Sequence, residues 1–287
     1  MLSTLLPEDL PWADHRSFLL LDGATRPDLP ALVARLAPAA SKLALYDYPP
    51  FYALRDVSPL LVTVQQPDEP IFQFYLEHAH EEWGVLLFSQ EPAHSVAQHL
   101  RKLLIVEPAE EHKTLLRLAD AGVAHALFGS GDQRLFGPLS CVVTADHLGA
   151  NWHRHAPRLP QPAELPTPFR LSPEQNAALN QVDRRRALLE LDTHLLRFFP
   201  RYLVGETVAE RWPRLEQLAA EASTLGLSSQ SERYYYANVM AWLNGSTLDQ
   251  HPHIAQLLHA PSLQSPGERV ALAAHLAHRW ATERERS

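Results

Sequence analysis

Cysteine is nearly absent: Cys141 is the only one among 287 residues. A single thiol closes no intrachain disulfide and builds no paired-cysteine metal site, and it suits a reducing compartment. Its apolar neighbours in a predicted strand mark it as buried and inert, because reactive thiols need electropositive, partly exposed settings. Long apolar runs are also missing. None approaches the roughly 18 residues of a membrane-span candidate, so no membrane insertion is expected. The opening MLSTLLPEDLPWADH carries acids and prolines where a secretory signal has a basic region and an apolar core. A cytoplasmic protein is the expectation.

Positive charge is in short supply. Lys and Arg number 25 against 33 Asp and Glu, a net charge of −8. Residues 1–165 hold 20 acids and 12 bases, while the remainder is balanced at 13 of each, so the first half carries the whole excess. No basic stripe is present beyond Arg184-Arg185-Arg186, and three successive helical residues point in three directions. Nucleic acid is therefore not an expected partner.

The sequence also lacks Gly-x-Gly-x-x-Gly, a phosphate-binding loop and a Gly-x-Ser-x-Gly elbow; Gly129-Ser130-Gly131-Asp132 reads as a turn. Histidine, at 16 residues, is the one chemically suggestive surplus. His78 and His80 diverge on a helix, His153/His155 and His251/His253 fall in predicted loops, and no His-Glu-x-x-His occurs. No catalytic residue, cofactor or metal is assigned, and a histidine-based metal-dependent hydrolase is the weakest of the functional readings.

What the chain does contain is ordinary globular material, 46% hydrophobic and 20% charged. Trp83 to Leu104 organises it. Trp83 to Phe88 is a short apolar run suited to a strand buried on both faces, Pro92 suits a helix start, and Val96, Leu100, Leu103 and Leu104 recur at helical spacing. Strand patterns at 17–22, 42–46, 59–64, 104–106, 113–118 and 135–144 alternate with helical patterns at 27–37, 70–81 and 121–128. This predicts an α/β (α+β) N-terminal lobe, a mixed sheet flanked by helices, over residues 1–156.

Six prolines then fall between 157 and 173, which marks 157–172 as a stiff linker. Residues 173–287 read as an all-α lobe. Ser172-Pro173-Glu174-Gln175, Ser229-Gln230-Ser231-Glu232 and Ser265-Pro266-Gly267-Glu268 are three helix starts of capping-box type. Gly226 and Asn244-Gly245 are stops, and Pro213 predicts a kink or a late start in the second helix. Candidate partner-binding residues are Trp152, Arg184, Arg185, Tyr234, Tyr235 and Trp242, since aromatics and arginine anchor most interfaces. Helical spacing requires one or two of the tyrosines at 234–236 to be core.

The order of these segments resembles the effector adaptor chaperones of the bacterial type VI secretion system. Leu20-Leu21-Asp22-Gly23-Ala24, Pro59-Leu60-Leu61-Val62, Trp83-Gly84-Val85 before Ser89, His99-Leu100-Arg101-Lys102-Leu103-Leu104 and Phe136-Gly137-Pro138 are similar to the N-terminal lobe of that family. Leu171 to Gln175, Phe199-Pro200 and Ala222 to Gly226 are similar to its variable C-terminal lobe. One corner departs. Arg117-Leu118-Ala119-Asp120-Ala121 keeps the arginine and aspartate of the family segment without its aromatics and proline, and Glu110-Glu111-His112 stands where a glycine turn is usual. The resemblance implies a non-enzymatic adaptor that binds a toxic effector in the producing cell and promotes its loading onto the VgrG spike protein. Asp22, Gly23, Trp83, Gly84, His99 and Arg101 are then scaffold residues, with Arg101 paired to a carboxylate such as Asp22 or Asp120. An immunity-like toxin inhibitor is the alternative.

Overall fold

The structure, a computed structural model, describes residues 6–107, 113–158 and 165–285. The chain divides into two compact units, Met1–Val182 and Asp183–Ser287.

The first unit is built on β1 (Arg16–Leu21), α1 (Leu29–Leu36), β2 (Lys42–Ala44), β3 (Leu60–Val64), α2 (Pro70–Glu77), β4 (Gly84–Ser89) and α3 (Ala93–Lys102). It continues through β5 (Ile105–Glu107), β6 (Thr114–Leu115), α4 (Ala121–Phe128), β7 (Leu139–Asp146), β8 (Asn151–His155) and β9 (Phe169–Arg170). Six strands form one sheet in the order β2-β3-β1-β4-β7-β8, and every neighbouring pair is antiparallel. A small second sheet, β6-β5-β9, contains the parallel pair β5–β9, so the mixed pairing is found there.

Side-chain alternation splits the core in two. Phe18, Leu20, Val85, Leu87 and Val142 face one side, where Val96 and Leu100 of α3 and Ala124 and Leu127 of α4 cover them. Leu19, Leu21, Leu86, Phe88 and Val143 face the other, under Leu29 and Val33 of α1 and Phe72 and Tyr75 of α2. Helices on both faces explain why β1 and β4 are apolar at consecutive positions although they run antiparallel. Such a run reports burial and carries no direction.

Three assignments from sequence change. The helical pattern at 70–81 breaks after Glu77 into a 3₁₀ turn, Ala79–Glu81, and its buried face is Ile71, Phe72 and Tyr75. His153 and His155 lie on β8, whose half-exposed edge position gives no apolar alternation to read. His253 lies on a helix described below.

α5 (Pro173–Phe198) opens as its sequence predicts. The Gln175 amide donates to Ser172 Oγ at 3.2 Å and the Ser172 amide to Gln175 Oε1 at 2.9 Å. The division between units falls inside this helix, later than the proline-rich stretch. Leu165, Phe169 and Leu171 belong to the first unit's core, and Leu179 and Val182 pack on it. Residues 159–164 of that stretch lie outside the described residues, as do Glu110, Glu111 and His112.

The second unit is helical: the end of α5, then α6 (Val208–Thr224), α7 (Gln230–Leu243), α8 (Pro252–His259) and α9 (Pro266–Glu285). Leu191 and Leu195, Leu215 and Leu218, Val239 and Leu243, Ile254 and Leu258, and Val270 and Ala273 supply its core from the five helices in turn. Thr207 and Ser229 form full capping boxes with Glu210 and Glu232. Gly226 at φ +75° and Asn244 at φ +43° take the left-handed conformations that end α6 and α7. α6 runs through Pro213.

Candidate partner-binding site

Asp22, Gly23, Trp83 and Gly84 meet where β1 ends and β4 begins, and the Asp22 amide donates to the Trp83 carbonyl at 2.8 Å. Asp22 is buried, and its Oδ1 accepts the Ala24 amide at 2.9 Å. Its Oδ2 accepts Thr25 Oγ1 at 2.9 Å and the Arg117 guanidinium at 2.5 Å. Gly23 lies so close to the Ser58 carbonyl that a Cβ would collide with it. Trp83 is fully buried and donates from Nε1 to the His78 carbonyl at 3.1 Å, with the Arg26 guanidinium 5.1 Å above its ring. A Cβ on Gly84 would sit 2.8 Å from Leu21 Cδ2.

Arg101 does not pair with a carboxylate in the way the sequence suggests. It donates to the carbonyls of Leu45 and Ala44 at 3.2 and 3.0 Å and lies over the Tyr48 ring. Asp22 is engaged by Arg117, and Asp120 caps α4 by accepting the Val123 amide at 3.0 Å. The arginine and aspartate kept in the departed corner therefore both have structural partners. His99 is buried, with Nε2 2.7 Å from the Leu135 carbonyl, and burial pulls its pKa below the usual 6.5. Cys141 is buried too, and burial pushes its thiol pKa up.

A second histidine group comes from β8 and α4. His125 Nδ1 lies 3.2 Å from His155 Nε2, the rings of His125 and His153 are 4.1 Å apart, and His153 Nε2 is 3.3 Å from Asp146 Oδ2. Burial, then the neighbouring His125 and His153, bring the pKa of His155 down to about 4. Among the described residues no group of three His, Cys, Asp or Glu has the arrangement to hold a metal ion.

The candidate partner-binding residues distribute over separate places. Trp152, on β8, packs its ring 5.9 Å from Tyr75 beside the first unit's core. Trp242 meets Phe199 edge-on at 4.9 Å in a hollow of about 380 Å³ that Tyr202 and Trp280 also line. Tyr235 is 44% exposed and Arg185 half-buried, and neither lines the larger hollow that follows. Tyr236 is core.

Arg184 and Tyr234 do come together. They line a groove of about 760 Å³ between α5, α6 and α7, within the second unit. Leu188 and Leu191 form its floor, and Ala219, Ala220, Ser223 and Thr224 make a low wall on α6. Tyr234 is held in place by His194, stacked at 4.4 Å and 10°, and by Gln230, which donates to its hydroxyl at 3.0 Å. Arg233, like Asp183 and Gln230, is a polar groove residue that the sequence did not assign to binding. The small residues of α6 are the signal that was there to read, because two adjacent pairs one turn apart thin one helix face.

This geometry belongs to a protein of two units, an α+β unit and a helical unit that offers an apolar, cation-rimmed groove. Residues 17–135 match the family described as Domain of unknown function (DUF4123). Over 281 residues it is 27% identical to the "Accessory protein VasW" of Vibrio cholerae serotype O1 (strain ATCC 39315 / El Tor Inaba N16961), covering 96% of this chain and 92% of that protein. Both findings agree with the resemblance to the type VI secretion effector adaptors. No solved structure matches the chain. Among the described residues no helix is long and apolar enough to cross a membrane.

Proposed function

We propose that this protein is a non-enzymatic adaptor of a type VI secretion system. It binds a toxic effector in the cytoplasm of the producing cell and promotes loading of that effector onto the VgrG spike. The observation that carries this reading is the extent of the relationship: similarity to an accessory protein runs through both units, well beyond the DUF4123 segment. A relative that shared only a framework would have no reason to keep the helical unit. In that unit an apolar floor and a preorganised aromatic stand open to solvent, and such features supply binding energy without chemistry.

The test is co-purification. The tagged full chain is expressed with the products of its neighbouring genes, and the eluate is weighed by light scattering. The expected result is a stoichiometric complex with one neighbouring effector that is still toxic when freed. An effector silenced in the complex, together with protection of recipient cells by this chain, would make it an inhibitor. Failure of every neighbouring product to bind would overturn the adaptor reading.

A further inference from the structure

We infer that the groove between α5, α6 and α7 receives an acidic amphipathic helix of the partner protein. This deepens the adaptor reading and rests on it. The groove runs along α5 from Arg184 past Leu188 to Leu191. Seven residues of helix rise about 10 Å, so a guest helix lying there would present two turns, with apolar anchors at i, i+3 or i+4, and i+7.

The walls favour a helix over an extended strand. All three are helices, so they offer no sheet edge along which an extended guest could pair. A helix arrives with its own backbone hydrogen bonds made and needs only side-chain contacts. The small side chains of Ala219, Ala220 and Ser223 let a guest backbone come close, while Leu188 and Leu191 meet its apolar face.

Charge sets the sign of the guest. Arg184 is exposed, with no ion-pair partner among the described residues. Arg233 lies beside Glu232, but that carboxylate accepts the Ser228 and Ser229 amides at 2.9 and 2.8 Å as part of the α7 cap. Asp183, the acid in the groove lining, is paired with Arg186 at 3.3 Å. Two guanidiniums therefore face the groove with their nearby counter-charges engaged elsewhere. On a chain of net charge −8 this is a local positive site, and carboxylates flanking the guest's apolar stripe would complement it.

The experiment uses the full chain and the neighbouring effector with which it co-purifies. Ala220→Trp fills the groove from an exposed position, and Arg184→Glu with Arg233→Glu reverses its charge; circular dichroism and thermal unfolding check that each variant folds. Both are expected to weaken capture of the effector at least tenfold. A photo-crosslinker on Ser223→Cys is expected to mark an effector segment whose apolar residues recur every three or four positions and are flanked by Asp or Glu. Unchanged capture by both folded variants would overturn the groove while leaving the adaptor reading intact. A marked segment that is basic or has no helical period would overturn the occupant. If the wild-type chain captures no neighbouring product, the adaptor reading falls and takes this inference with it.

Discussion

Arg211 and Asp192 form a bidentate pair inside the helical unit, Nε to Oδ1 at 2.7 Å and Nη2 to Oδ2 at 2.6 Å. Their side chains are only 7% and 8% exposed. The pair ties α6 to α5, and a third donor of the same guanidinium reaches the Gly205 carbonyl at 3.1 Å. Removal of one partner strands the other charge away from water. Asp192→Ala is expected to cost about 3–5 kcal/mol, read as a lower urea midpoint, whereas joint replacement by Leu and Met should come close to neutral. Equal losses in the single and double variants would show that the fork matters through packing alone.

Gly23 and Gly131 are required for opposite reasons. Gly23 has no positive φ, yet its missing Cβ leaves room for the Ser58 carbonyl, which is backbone and cannot swing aside. Gly131 has open space around it but holds φ +81°. Gly23→Ala should cost about 1–3 kcal/mol through overpacking, and Gly131→Ala about 1 kcal/mol through backbone strain. The measurement is denaturant unfolding of both variants. A larger loss at Gly131 would reverse the assignment.

His155 makes stability depend on pH. Its pKa in the folded chain is about 4, against 6.5 for an ordinary histidine, chiefly because burial opposes its charge. The unfolded chain therefore takes up the proton first as acid is added. The stabilisation is whole above 6.5 and is lost progressively as pH falls from 6.5 towards 4. His155→Gln should flatten the urea midpoint across that window. Some slope will persist, since burial also lowers the pKa of His99. A slope identical to that of the parent would remove His155 as a contributor.

Much of the architecture was legible because it depends on local periodicity. The apolar run at 83–88 and the stripe Val96–Leu100 identify β4 and α3, and serine with Gln or Glu three residues on marks where α5, α7 and α9 begin. β8, β9 and α8 escaped. Asn151–His155 is an edge strand, Phe169–Arg170 is two residues held by pairing with β5, and α8 has eight residues with a histidine cap. Elements so short are stabilised by their neighbours rather than by their own pattern.

The candidate site divides in the same way. By itself the sequence determined which residue types were at hand: a lone buried cysteine, an acidic first half, and arginines and aromatics in the helical half. The motifs at Asp22 and Trp83 could be recognised from order alone. Only the tertiary structure decided partners. It gave Asp22 to Arg117 in place of Arg101, divided the aromatics at 234, 235 and 242 among different places, and set Arg233 across a groove from Arg184. Periodicity fixes which face of a helix is buried, because the repeat is a property of one segment. Which residues of α5, α6 and α7 meet across a gap depends on how those segments pack, and no single segment encodes that.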